Sequence, residues 1–283
     1  MITVMSDNKG STDGLRPRSL ERRQLVRDRS EDVAHAIGLQ IVAGNPRPGS
    51  LLPTEHRLCA EIGVSRAALR EGFRLLAARG MIMGRRKVGT IVRPMTDWNM
   101  LDASVLAWHL EQEPTAAFID GLFEARLIVE PAASAMAARR ASADGLTVMR
   151  EAFREMAIAQ GAVAGTSRAG AEVQPGADDI DKTVGADLRF HKAILAAAGN
   201  HFLATFGALI GSSLIASFRL NWRAHNSAPA TSIAQHEDVL QAIAARDAQA
   251  AEQRMRVLLL AAHRDAQRSL AHETGQAGAA TAE

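Results

Sequence analysis

Tyrosine is absent from the 283 residues, aromatic residues make up 4%, and there is a single cysteine, Cys59. One thiol cannot close an intramolecular disulfide or build a multi-cysteine zinc site. Set in an apolar run, Cys59 reads as a small core residue rather than a redox switch. β-Branched runs are scarce outside residues 81–93, so the alanine- and leucine-rich remainder favours helices. The N-terminal residues lack an apolar signal core, and no stretch of about 18 apolar residues stands out to span a membrane. These absences point to a cytoplasmic protein.

The formal net charge of +2 conceals a division. Residues 1–95 hold 17 Lys+Arg against 9 Asp+Glu and the remainder holds 16 against 22, so a segment of net +8 precedes one of net −6. A basic segment followed by an acidic one points to a nucleic-acid module joined to a module with another task. A purely architectural DNA binder would be basic throughout, which disfavours that alternative.

Residues 1–20 are polar and are expected to form a disordered tail. From Glu21 to Ala43, Val33, Ile37, Ile41 and Val42 recur at helical spacing, and Gly44 with Pro46-Arg47-Pro48-Gly49 ends that helix in a turn. Thr54 is placed to cap a second helix with Leu58, Cys59 and Ile62 as its apolar face, stopped by Gly63. Ser65 caps a third helix in which Leu69, Phe73, Leu76 and Ala77 face inward, stopped by Gly80. Residues 81–83 and 90–93 read as strands flanking a basic hairpin tip from Gly84 to Gly89. Helical periodicity then dominates, over 103–112, 115–139, 142–161, 184–198, 200–224, 230–245 and 247–272, with a small-residue stretch at 162–182 read as a flexible loop. The expected fold class is mainly α. A winged helix-turn-helix spans 21–95, a linker 96–113 and an all-α helical bundle 114–273, before a second tail at 274–283.

Gly63-Val64-Ser65 is the short turn that a helix-turn-helix needs to lay its second helix in a major groove. Arg66 and Arg70 are four residues apart on one face of that helix, where a guanidinium donates two hydrogen bonds to guanine or clamps a phosphate. Arg85, Arg86 and Lys87 at the hairpin tip reach backbone phosphates or a minor groove. The bland alternative is a solvated charged helix, favoured for Arg74 and Arg79. Turn, cap and basic wing in the correct order disfavour it for Arg66 and Arg70.

These residues resemble the winged-helix domain of the GntR family of bacterial regulators. The resemblance rests on Pro48-Gly49, Leu52-Pro53-Thr54-Glu55, Gly63-Val64-Ser65-Arg66, Leu69-Arg70-Glu71, Leu75-Leu76 and Val88-Gly89-Thr90, in order within about 50 residues. It implies contacts with double-stranded operator DNA from Arg66, Ala67 and Arg70 and from the wing around Gly89 and Thr90. His56 departs from the residue types usual there, and a phosphate contact is its implied role.

Three patterns mark the second module. Glu124-Ala125-Arg126 and Glu130 lie on one helix, where Arg126 either pairs with Glu130 or holds a ligand carboxylate. Asp187 and His191, at i and i+4, stand side by side and suit a Zn²⁺-like ion or a surface hydrogen bond. His236 opens a later helix and signifies nothing alone. Together they resemble the FadR-type subfamily, whose FCD effector domain commonly binds a divalent metal through one Asp and three His and a small organic acid beside it. The resemblance implies Asp187, His191 and His236 as metal ligands, and Arg126, Glu130 and Asn200 at the effector. The position of the fourth ligand is held by Leu258, which cannot ligate, and His263 lies about 140° around the helix from it. The segment Trp98-Asn99-Met100-Leu101-Asp102 with Val105-Leu106-Ala107-Trp108 is similar to galactonate-operon repressors, a subgroup that also tends to lack that histidine. A dimeric repressor controlled by a sugar acid is therefore expected. A metal-dependent enzyme using the Asp/His/His set is the alternative, although no positioned base, nucleophile or phosphate loop accompanies it.

Overall fold

The computed structural model describes residues 18–112, 114–168, 177–225 and 232–280. The expected first tail up to residue 17, residues 169–176 of the expected loop and the last three residues lie outside that description. The chain divides into two compact units, Met1–Asn99 and Met100–Glu283.

In the first unit, helix α1 (Arg18–Val42) buries Val33, Ala34, Ile37 and Ile41 and packs on α3 (Arg66–Ala78). Helix α2 (Glu55–Ile62) begins at Thr54, whose Oγ1 accepts a hydrogen bond from Arg57 N. It ends at Gly63, which adopts the left-handed conformation (φ 72°) that a reversal within two residues requires. Ser65 then caps α3, its Oγ accepting from Ala68 N at 3.2 Å. The buried face of α3 is Ala68, Leu69, Gly72 and Leu76. Ala77, expected inside, is exposed, because the small residues 68 and 72 turn the helix so that they meet α1. Cys59 is half-buried rather than in the core.

At Gly72 helix α3 lies directly against α1. A Cβ there would lie 2.6 Å from Val33 Cγ1, and Val33 is fully buried and cannot yield. Gly72→Ala is expected to cost about 1–3 kcal/mol by overpacking. The double variant Gly72→Ala/Val33→Ala is expected to lose less than the sum of the two single losses, measured by urea unfolding.

Strands β1 (Ile82–Arg85) and β2 (Gly89–Val92) pair antiparallel from Ile82↔Val92 to Arg85↔Gly89. The strands therefore run further than expected, and the tip narrows to Arg86-Lys87-Val88. Residues 49–52 add to the outer edge of β2: Leu52 N donates to Thr90 O at 2.8 Å and Val92 N to Ser50 O at 3.0 Å. Two rungs flanked by prolines leave no alternation to read, so the sequence showed this segment only as a turn.

The second unit is a bundle of α4 (Ala103–Glu111), α5 (Ala116–Arg140), α6 (Ala143–Arg168), α7 (Ala177–Ala197), α8 (Gly207–His225), α9 (Ser232–Ala244) and α10 (Ala248–Ala280). Three boundaries differ from expectation. Helices α6 and α7 take in much of the expected loop at 162–182, and α10 continues through the expected tail to Ala280. Alanine is the strongest helix former, and its frequency in these segments prevails over scattered glycines. Within the expected linker, Trp98 is buried, and the expected helix at 103–112 is present as α4, which buries Val105, Leu106, Trp108 and Leu110.

Helix α5 runs along α10 and also meets α7, α8 and α9, which makes it the centre of the bundle. One apolar cluster gathers Ala137, Met149, Phe190, Ile194, Val239 and Leu259. Another gathers Ile119, Phe123, Ala216, Leu220 and Ala266. The span His201–Leu220 has the length and hydropathy of a membrane-crossing segment, contrary to the sequence expectation. Half of it is buried, and α8 within it packs on α4, α5, α7 and α10, which accounts for its apolar character.

Candidate functional site

Between the two apolar clusters, α5, α7, α8 and α9 bring polar side chains to one buried point. Arg126 and Glu130, one turn apart on α5, are each 2% exposed. Arg126 Nε donates to Glu130 Oε1 at 2.5 Å, and Nη1 donates to Ser213 Oγ on α8 at 3.0 Å. The guanidinium carbon lies 5.6 Å from the centroid of the Phe123 ring. His191 Nδ1 donates to the other oxygen, Glu130 Oε2. Both oxygens of Glu130 are thus committed within the protein. The residue, expected at the effector, holds Arg126 and His191 in place.

The hydrogen bond from Nδ1 fixes the His191 ring and turns Nε2 away from Glu130, as a carboxylate does behind a metal-bound imidazole. Asp187 Oδ1 lies 3.2 Å from His191 Nε2 and 3.2 Å from His236 Nε2, and the two Nε2 atoms are 3.4 Å apart. Bonds of about 2.0–2.1 Å to one tetrahedral ion set donor atoms roughly 3.3 Å apart. Although two imidazole nitrogens flank it, Asp187 Oδ1 is buried and receives no hydrogen bond of proper direction. Three donors converging on a common point rather than on one another fit a divalent cation. Asp187 and His191 share a face of α7, and His236 comes from α9.

Leu258 supplies no fourth donor. It is buried in the apolar cluster that contains Phe190 and Val239. His263 is committed elsewhere, with Nε2 2.6 Å from Asp120 Oδ1 and its ring stacked on Phe123 at 4.8 Å. Asn200 is engaged as a cap: its Oδ1 accepts from Phe202 N at 3.1 Å and starts the 3-10 turn His201–Phe206. Arg126 Nη2, by contrast, lies 3.4 Å from His191 Nε2 and borders the cluster.

The charges are strongly coupled. Burial pushes Glu130 up, but Arg126 and His191 outweigh it and hold the carboxyl at about 2. Burial also pushes Asp187 up, and the neighbouring His236 and His191 outweigh it and hold the carboxyl far below the usual range. Burial lowers His191 and Arg126 opposes its charge, yet Glu130 and Asp187 prevail and raise it to about 9. A raised histidine stabilises the ligand-free fold fully below its unfolded value near 6.5, and that stability is lost as pH rises through about 9. The depressed Glu130 stabilises above about 4.5 and loses its effect as pH falls through about 2. A metal ion must displace the proton of His191 below pH 9, so zinc affinity is expected to rise about tenfold per pH unit between pH 6.5 and 8.5. Competition with a chelator measures this, and a flat profile would contradict the assignment.

In the first unit, Arg66, Arg70 and Ala67 are exposed on the opening turns of α3, and Arg85, Arg86, Lys87 and Gly89 are exposed on the wing, with Thr90 half-buried. His56 is exposed in the first turn of α2. Several cations are paired internally: Arg57 with Glu61, Arg74 with Glu71, and Arg70 with Glu55 at 3.2 Å. Arg66, Arg85, Arg86 and Lys87 have no ion-pair partner among the described residues.

A basic winged helix-turn-helix in one unit and a buried cation-and-anion centre in a helical bundle in the other define a ligand-responsive DNA-binding regulator. The chain belongs to the GntR family of bacterial regulatory proteins: that family's model matches residues 29–92, and the FCD domain matches residues 121–261. It is 33% identical over 229 residues to the galactonate operon transcriptional repressor of Escherichia coli K12, covering 81% of this chain and 93% of that one. It is 30% identical over 196 residues to the HTH-type transcriptional regulator YieP of the same organism, covering 69% and 79%. A solved structure of Listeria monocytogenes Lar, described as controlling the expression of the agr system, shares the fold with TM-score 0.57 at 18% identity, covering 84% of this chain and 96% of that one. GntR regulators bind operator DNA, and their FCD domains bind small-molecule effectors. The metal-dependent enzyme is set aside, because the family and these relatives are regulators of transcription.

Ser213 is the member of the site that sequence reasoning missed. Its signal was present: in the apolar run Gly207–Phe218, Ser213 and Ser217 recur four residues apart, a polar stripe on a buried helix.

Proposed function

We propose that this chain represses a sugar-acid catabolic operon as a cytoplasmic homodimer, and that an aldonate bound in the helical bundle releases it from the operator. The observation that carries this reading is the buried Arg126, held by Glu130 and Ser213 beside the Asp187/His191/His236 triangle. A guanidinium so placed is built for an anion, and a small carboxylate fits it. The kinship with a galactonate operon repressor narrows the acid to a sugar acid.

In this reading Asp187, His191 and His236 hold a divalent ion, with zinc the first candidate. Such an ion, held by these three side chains, would supply Lewis-acidic attraction for a carboxylate beside Arg126. Asn200 shapes the end of α7 rather than the ligand. Arg66, Ala67 and Arg70 read base edges in the major groove, while His56, Arg85, Arg86, Lys87 and the backbone at Gly89 and Thr90 meet phosphates or the adjacent minor groove. Two-fold symmetry would place two recognition helices on a short pseudo-palindrome. The acid binds one arrangement of the dimer better and lowers DNA affinity by linkage.

The test is binding to the gene's own upstream DNA at fixed salt, with and without a panel of aldonates. Specific binding released by one aldonate is expected. Specific binding indifferent to every acid in the panel would remove the sugar-acid assignment while leaving the DNA role intact.

A further inference from the structure

Helices α7 and α8 run antiparallel with a register that the packing fixes. Gly211 sits against Leu188, and Gly207 against Lys192, where an added Cβ would lie 3.2 Å and 2.7 Å from those side chains. Further along in the same direction, Val184 on α7 and Phe218 on α8 belong to one apolar cluster. Asp187 and Ser213, the members of the polar centre on these two helices, therefore stand at one level. Thr183 precedes Asp187 by four residues and Ser217 follows Ser213 by four, so each shares its helix face with a site residue, one level above it.

Both hydroxyls are orphaned. Thr183 is 5% exposed, and its Oγ1 and the Oγ of Ser217 are buried with no hydrogen-bond partner. Buried hydroxyls normally find a partner, often the carbonyl four residues back in their own helix. Two that face the same level and decline this option are out of place in a merely structural core.

We infer that Thr183 and Ser217 form the hydroxyl-reading end of the effector pocket and select a polyhydroxylated acid over an unsubstituted one. The inference rests on the reading of Arg126 and the Asp187/His191/His236 triangle as the carboxylate end. One helical turn rises about 5.4 Å, and four carbon–carbon bonds of an extended chain span roughly the same length. With C1 at Arg126, the hydroxyls near C4 and C5 of a six-carbon aldonate reach the level of Thr183 and Ser217. An alkyl acid of the same length would leave both hydroxyls unpaired, as they are in the ligand-free protein, and so would gain nothing from them, whereas an aldonate pairs both.

The test is calorimetric titration of the metal-loaded full-length protein with six-carbon aldonates and with hexanoate, for the natural sequence and for Thr183→Val, Ser217→Ala and Arg126→Gln. The natural protein is expected to prefer one aldonate to hexanoate about a hundredfold or more. Thr183→Val and Ser217→Ala should each lose about tenfold for that aldonate and nothing for hexanoate. Thr183→Val is nearly isosteric and removes an unsatisfied group, so its ligand-free melting temperature should hold or rise. A fall in melting temperature with unchanged selectivity would assign Thr183 a structural role and overturn the inference. If Thr183→Val and Ser217→Ala keep full selectivity while Arg126→Gln abolishes binding, the carboxylate site stands and the hydroxyl-reading end falls. Failure of every acid to bind the natural protein would overturn both.

Discussion

Glu130→Leu is expected to lower the unfolding free energy of the ligand-free helical bundle by about 3–5 kcal/mol. The carboxylate is 2% exposed and accepts from Arg126 Nε and from His191 Nδ1. Removing it leaves the buried guanidinium without its counter-charge, and the imidazole, raised to about 9 by this environment, with Asp187 alone. The penalty is the desolvation of unpaired charge more than the loss of two bonds. For a bundle of this size the melting temperature should fall by on the order of 10 °C. The exposed pair of Glu155 with Arg189 is the control: Glu155→Ala should change stability by less than about 1 kcal/mol. Replacing Arg126, Glu130 and His191 together by apolar residues should recover much of the Glu130→Leu loss, since no buried charge remains unpaired. Urea unfolding followed by far-ultraviolet circular dichroism measures all three. A Glu130→Leu loss under about 1 kcal/mol would contradict the description of the centre.

Arg66→Ala is expected to weaken specific operator binding by about 1–3 kcal/mol per half-site, which a two-fold complex compounds. Arg66 stands on the first turn of α3, exposed and without an ion-pair partner among the described residues, so its charge is available to a base or phosphate. Arg70→Ala should cost less, because Arg70 must first leave Glu55. Lys87→Ala at the wing tip should weaken specific and non-specific DNA alike and reduce the salt dependence by about one counterion. Anisotropy titrations at several salt concentrations separate these effects. An Arg66→Ala loss equal on operator and random DNA would remove base reading from that residue.

How far the sequence disclosed this depends on the kind of signal each residue carried. The order of elements in the first unit was legible because caps and stops announce helices: Thr54, Gly63 and Ser65 occupy those positions in the structure. The strand-like edge at residues 49–52 was not, since two rungs between prolines make no pattern. Gly72 carried no sign of its role in α3, which only its contact with Val33 supplies. In the second unit the spacing of Asp187 and His191 on one helix face was readable, but the arrival of His236 from α9 is a tertiary fact, and alone it carried no sign. Glu130 could be paired with Arg126 by its i, i+4 spacing, whereas its second bond, to His191, joins helices that are distant in sequence. Helix ends at 162–182 and beyond 272 were misjudged because small residues signal a loop by composition and a helix by alanine propensity. The second prevailed.

Under the proposed function, an acid in the helical bundle and an operator on the winged helix bind one protein at each other's expense. Calorimetric titration of the released aldonate into the free protein, and into the protein saturated with operator, tests it most directly. Linkage requires that the acid bind the operator complex more weakly, by the same factor by which the acid weakens operator binding. A factor of about 5–150 is the expected scale. Equal affinity of the acid for the free and the operator-bound protein would contradict the account.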